Sequence, residues 1–268
     1  MTASPTPPPL DGQAGTTSGP GQAAVELTDL CWQVGGARIV RNVTLSVATG
    51  EMVGVIGPNG AGKTSLFNLI SGINPVTSGA VLLSGRDVTR ESIAARARLG
   101  LGRTFQTSSL FPRLSVLENV RLAAQQHLGG TLSVLRFPRR HDQATEQARQ
   151  HLTTVRLAKL DTAAGDLSHG DKRKLEIAVL LAQHPAVVLL DEPMAGVSSH
   201  DVPGLTEVIR DLHRTGATVM IVEHHLDVVL GLVDRVAVMH RGELLAVGTP
   251  TEIMANETVQ SAYLGDVA

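Results

Sequence analysis

Gly57-Pro58-Asn59-Gly60-Ala61-Gly62-Lys63-Thr64 follows directly on the apolar run Met52–Ile56 and opens a stretch of helical periodicity from Gly62 to about Ile73. Few arrangements constrain a fold as tightly. A buried strand must pass into a helix through a loop whose glycines allow close backbone approach and turn consecutive N–H groups outward. Such a cradle suits phosphate oxygens, and the helix start adds partial positive charge. Lys63 is spaced to reach β/γ-phosphates, and the Thr64 hydroxyl is placed to ligate Mg²⁺. The candidate nucleotide-binding set is therefore Gly57, Pro58, Asn59, Gly60, Ala61, Gly62, Lys63, Thr64 and Ser65.

The rest of the chain supplies a sheet for that strand to join. Val25–Val47 carries two strand-like runs about Gly35-Gly36, and residues 80–90 suggest short strands. Glu91–Leu99 suggests a short helix. Between about Thr107 and Asp166 the pattern turns helical and polar, clearest over Glu118–His127 and Asp142–Val155. Strand and helix then alternate: Val187–Leu190, Val202–Arg214, Thr218–Val222, His225–Leu232 and a hairpin about Arg241-Gly242. This predicts an α/β fold with a mostly parallel central sheet, an antiparallel β subdomain and a helical insertion over about 107–168. Thr249 with Pro250 predicts a helix start, and Thr251–Leu264 a few helical turns.

Residues 1–22 are rich in Pro, Gly, Ser and Thr and are expected to be a disordered tail, with 23–268 forming one domain. The 268 residues are 43% hydrophobic, enough for a sizeable core. With one Trp, one Tyr and four Phe, that core must be mostly aliphatic. A net charge of −2 argues against nucleic-acid binding through a broad basic surface. The one cysteine, Cys31, cannot form an internal disulfide, which suits a reducing cytosol. No run approaches a membrane span, and the N-terminus lacks the pattern of a secretion signal.

Two further motifs carry chemistry. The apolar strand Val187–Leu190 runs into Asp191-Glu192-Pro193, which sets two carboxylates at the C-terminal edge of a sheet, where open α/β folds bind ligands. Asp191 suits a Mg²⁺ contact, direct or through a second shell, and Glu192 suits a general base that polarises an attacking water. Ser168, in Leu167-Ser168-His169-Gly170-Asp171, can cap the helical run Lys172–Gln183 and present hydroxyl and N–H groups to an anion.

Taken together, GPNGAGKT, Gln106 in RTFQ, LSHGD, VVLLDEP and His224 in IVEH resemble the motifs of ATP-binding cassette (ABC) ATPases, in the family's order, over about residues 25–265. The resemblance implies a P-loop ATPase using ATP and Mg²⁺, which forms a head-to-tail dimer with two ATP molecules sandwiched between protomers. One chain would supply Lys63, Thr64, Gln106, Asp191, Glu192 and His224 to each site, and the other Ser168 and Gly170. Glu192, His224 and Gln106 would be catalytic; Thr64, Gln106 and Asp191 would hold the metal. The implied setting is peripheral, at the cytoplasmic face of a membrane. The expected partners are transmembrane permease subunits, a second ATPase subunit (identical or paralogous) and, indirectly, a solute-binding protein. RTFQTSSLFP, LSVLENV and LEIAVLLA are similar to branched-chain amino acid importers, and LSHG to urea and short-amide importers. Lipopolysaccharide exporters share parts of the pattern, and soluble ABC ATPases are a further alternative. Leu110, Phe111 and Pro112 are the expected coupling surface.

The chain departs from the family pattern at four points. Asp171 replaces the usual Gln, Ser198 stands at an Asp or Asn position, and His225 at one where Asp is common. Val34 takes the aromatic position that stacks on adenine. Trp32, two residues earlier, either substitutes for it or packs into the core.

Overall fold

The computed structural model describes residues 23–104, 110–128 and 142–264. Strands β1 (Ala23–Val34) and β2 (Ala37–Ala48) pair antiparallel, and β4 (Ser78–Leu83) and β5 (Arg86–Asp87) extend them into a sheet of order β2-β1-β4-β5. Gly35-Gly36 makes the β1–β2 turn with both φ angles positive, at 53° and 86°. That is the turn whose twist matches paired strands.

A second sheet has the order β10-β9-β3-β8-β7-β6. Its members are β3 (Met52–Ile56), β6 (Leu101–Arg103), β7 (Val187–Asp191), β8 (Thr218–Val222), β9 (Arg235–His240) and β10 (Glu243–Gly248). All run parallel except the edge strand β10. Every residue of β3, β7 and β8 is buried, because helices or the other sheet cover both faces.

The pleat divides the core in two. Met52, Ile56, Val188, Leu190, Val219 and Ile221 pack with helices α3 (Val116–His127), α4 (Gln143–Thr154), α5 (His169–Leu181) and α6 (Val202–Arg214). Their neighbours Val53, Val55, Val187, Leu189, Met220 and Val222 face α1 (Lys63–Ser71) and the antiparallel sheet. Alternate strand residues thus belong to opposite cores. Gly54 has no room for a side chain: a Cβ there would sit 2.5 Å from Val229 of α7 (Leu226–Leu230).

Local chemistry sets the helix starts. Ser92 caps α2 (Ile93–Arg98), and Ser115, Asp142 and Ser168 cap α3, α4 and α5, each accepting a backbone N–H from three residues on. Thr249 and Glu252 form a reciprocal capping box on α8 (Pro250–Met254), with Pro250 at the first position, and α9 (Glu257–Leu264) follows. The expected helix 62–73 is Lys63–Ser71, ended by left-handed Gly72. The helix expected over 225–232 spans Leu226–Leu230, and α5 begins at His169, ahead of Lys172. Strand β6 has no counterpart in the sequence expectations. The tail 1–22 and residues 105–109 and 129–141 of the insertion region lie outside the described residues. Among the described residues, no helix is long and apolar enough to cross a membrane.

Candidate functional site

The phosphate loop sits at the C-terminal end of β3, where its conformation is forced by close neighbours. Gly57 has φ 151°, and a Cβ there would lie 2.1 Å from the Met239 carbonyl oxygen. Gly62 caps α1 in the left-handed region at φ 98°. The β9–β10 turn Arg241-Gly242 presses on the loop: the Gly242 N–H donates to the Ala61 carbonyl at 3.0 Å, and the Arg41 N–H of β2 donates to the Gly242 carbonyl at 2.8 Å. The loop is therefore held by the core sheet on one side and the antiparallel sheet on the other.

Lys63 is 6% exposed. Its ammonium donates to the carbonyls of Gly57 at 2.7 Å and Pro58 at 3.0 Å. An ammonium carries three donors, so a third N–H remains for an anion. Burial lowers the Lys63 pKa, while Glu192 and Asp191 pull it back toward the charged form.

Strand β8 lies between β3 and β7, so three strand ends contribute to one edge. Phosphate loop, acidic pair and histidine all follow the C-terminal ends of these strands. Glu192 Oε1 lies 2.8 Å from His224 Nε2. A hollow of about 270 Å³ is lined by Asn59, Gly60, Ala61, Gly62, Lys63, Thr64, Ser65, Glu192 and His224, with Ile39 at its rim. Asn59–Ser65 of the predicted loop thus share one surface with Glu192 and His224, while Gly57 and Pro58 lie off it. Glu192 adopts φ 50°, a left-handed conformation that costs a non-glycine residue about 1–3 kcal/mol.

Asp191 lies beneath this surface, 1% exposed. Its Oδ2 accepts from Arg103 Nη2 at 2.8 Å. Its Oδ1 is buried with no hydrogen-bond partner among the described residues. Burial raises the Asp191 pKa and the Arg103 charge draws it down. A hydroxyl at Thr64 and one uncommitted carboxylate oxygen are hard oxygen donors, as Mg²⁺ requires alongside phosphates and water. The residues present fit the ion. Gln106 lies outside the described residues.

Ser168 and Gly170 stand elsewhere. Neither lines the hollow. The Ser168 hydroxyl accepts from the Asp171 N–H at 3.2 Å, which makes it the N-cap of α5. Gly170 packs against Asp201, with only 3.2 Å between a Cβ there and the Asp201 Cβ. The Asp171 carboxylate is turned to Lys159 at 2.8 Å, so this departure from the family pattern carries its own counter-charge. Ser198 donates to Asp201 Oδ2 at 2.8 Å and so serves the approach to α6. Val34 is 51% exposed, whereas Trp32 packs against the core shared with the antiparallel sheet. Packing is what the structure shows for Trp32.

Two charged residues escaped the sequence reasoning. Arg103 binds Asp191, donates to the Ser71 hydroxyl at the end of α1 at 2.7 Å and lies over the Phe67 ring. Glu223 is 2% exposed, between β8 and His224. Both sit where an apolar strand ends at the ligand edge, inside RTFQ and IVEH, and that position was the available signal.

Comparison with known proteins identifies the family. The family profile described as ABC transporter matches residues 40–195, more than half of the chain. A second, described as branched-chain amino acid ATP-binding cassette transporter, matches residues 243–268. The high-affinity branched-chain amino acid transport ATP-binding protein LivG of Escherichia coli strain K12 is 37% identical, over 91% of this chain and 99% of its own. The lipopolysaccharide export system ATP-binding protein LptB of the same strain is 38% identical, over 86% of this chain and 92% of its own. A crystal structure of the ADP conformation of an ATP-binding cassette of an ABC transporter superposes with TM-score 0.80 at 29% identity, covering 91% of this chain and 99% of that one. With a nucleotide-ready phosphate loop, an acidic strand end and a histidine on one sheet edge, the chain belongs to the ABC transporter family as an ATP-hydrolysing ATP-binding subunit.

Proposed function

We propose that this ATPase powers an importer of branched-chain amino acids, or of urea or short amides. The observation that carries the reading is the match of the C-terminal segment 243–268 to the branched-chain amino acid cassette profile. That segment comprises β10, α8 and α9, outside the elements that handle phosphate. The second reading, a lipopolysaccharide-type exporter, is favoured by the 38% identity to LptB.

In this reading the N–H groups of Gly60 and Gly62–Ser65 and the Lys63 ammonium bind the nucleotide phosphates. Thr64, Asp191 and Gln106 would hold Mg²⁺, which would neutralise phosphate charge when bound. Glu192 takes a proton from the attacking water, and His224, hydrogen-bonded to Glu192, contacts the γ-phosphate. The hollow leaves the phosphates open on one side. The α5 start of a second ATPase subunit closes that side with Ser168 and Gly170, so closure depends on the γ-phosphate and hydrolysis releases it. Permease subunits dock on the insertion. Phe111 is 58% exposed there, beside a cleft of about 190 Å³ lined in part by Ile93, Ala97, Leu110 and Val179. An exposed apolar rim of that kind marks a partner surface.

Affinity purification from membranes, with identification of every companion chain, tests the assignment. Two multi-span permeases and a solute-binding protein support the importer; export components without a binding protein overturn it. Phe111→Asp is expected to abolish permease co-purification, and retention of the permeases sinks the docking assignment.

A further inference from the structure

Glu192 does the chemistry of hydrolysis in the reading above, and it does so from a backbone conformation that needs outside support. Part of that support is ladder-like: the Glu192 N–H donates to the Val222 carbonyl at 2.9 Å, one residue beyond the last β7–β8 partners Asp191 and Val222. The Ala195 N–H adds a turn bond to the Glu192 carbonyl at 3.0 Å, and one side chain adds the link to the neighbouring strand end. Glu223 Oε1 accepts the Met194 N–H at 2.6 Å, two residues after Glu192. Its Oε2 accepts the His224 N–H at 3.1 Å and lies 3.3 Å from His225 Nδ1. A single carboxylate thus ties the segment that carries Glu192 to the segment that carries His224. At 2% exposure, water does not compete for these bonds.

We propose that Glu223 is a positioning residue, a clamp between the β7 and β8 ends that holds Glu192 and His224 in register for hydrolysis. This rests on the assignment of hydrolysis to Glu192 and His224. Glu223 does not line the nucleotide hollow, so it acts through its neighbours. The demand is for a carboxylate in particular. Both backbone partners are N–H donors, one on each oxygen, and a carboxylate accepts on both. Glutamine offers one acceptor and turns an NH₂ toward the other donor. Aspartate keeps both acceptors on a stem one carbon shorter, which cannot keep both bonds at their present lengths.

The test uses the full chain with its permease partners, comparing parent, Glu223→Gln, Glu223→Asp and Glu192→Gln for turnover, ATP affinity by calorimetry and amide hydrogen exchange. Displacements near 1 Å cost reacting groups on the order of 100-fold. Glu223→Gln is therefore expected to lower kcat about 10–100-fold with ATP affinity within about threefold of the parent. Exchange should quicken at the Met194 and His224 amides and not at Gly57–Ser65. Adding Glu223→Gln to His224→Ala should lower kcat by less than the product of the two single effects, since part of the Glu223 effect runs through His224. Turnover within twofold of the parent overturns the clamp. So does a parallel fall of kcat and ATP affinity with faster exchange throughout, since that describes a general fold role. The parent alone also decides: a Met194 amide that exchanges as fast as an exposed loop amide overturns the proposal without any variant. Normal turnover in Glu192→Gln overturns the hydrolytic assignment itself, whereas an inert Glu192→Gln beside a fully active Glu223→Gln overturns the clamp alone.

Discussion

The phosphate loop and the start of α5 both offer backbone donors at a helix N-terminus, yet they are built in opposite ways. The first emerges from a strand buried at every residue, is pinned by Gly242 and Met239, and keeps its lysine 6% exposed. The second is exposed at Ser168 and His169, with a surface ion pair between Lys159 and Asp171. Exposed pairs of that kind contribute little stability. The difference teaches a division of labour. In the proposed reading the rigid half grips nucleotide alone, and the exposed half meets a second subunit.

Four measurements bear on that contrast. Glu192→Gln should cut turnover by a factor on the order of 10²–10⁴ while ATP binding stays near parental, because an amide cannot take the proton of water. Unimpaired hydrolysis would place water activation in the opposite half. Lys63→Ala should weaken ATP binding about 10–100-fold in calorimetry, the scale of a lost charged hydrogen bond in a buried setting. Ser168→Ala should leave ATP binding to the isolated subunit unchanged and weaken ATP-dependent dimerisation about tenfold; loss of binding in the monomer would break the division outright. The smallest effect is acid sensitivity near Gly170. Hydrogen bonds from Ser198, then His200, lower the Asp201 pKa below its ordinary value. Its unfolded form therefore binds a proton first, so the stabilisation is present above the ordinary carboxylate range and is lost as pH falls through the folded value. Tm should accordingly drop more steeply below about pH 4 in the parent than in Ser198→Ala.

Much of this was legible beforehand because it is local. Val202–Arg214 and Thr218–Val222 carry their period and their boundaries in consecutive residues, and the structure places both elements on those residues. The Ser168 and Thr249 caps follow from local sequence alone, whereas the reciprocal bond from Glu252 is seen only in the structure. The phosphate loop was equally plain, since its glycines and lysine are contiguous. What stayed hidden is non-local. Strand β6 is three residues with a glycine at its centre, too short to show a period. That β8 separates β3 from β7 is a matter of strand order, which alternating apolar runs do not encode. The Arg103–Asp191 bond joins residues 88 apart in sequence. Glu223 was overlooked because the adjacent histidine accounted for the motif, although a buried acid at a strand end is costly unless something binds it.

The hairpin turn Arg241-Gly242 looks, in a list of surface loops, like a convenient place to splice in an epitope or a fluorescent reporter. Its amide and carbonyl instead latch Ala61 to Arg41. Lengthening it would unlatch the catalytic shelf from both sheets at once, so a label grafted there should behave as an inhibitor, and in the proposed dimer the antiparallel lobe should travel with the core as one rigid body.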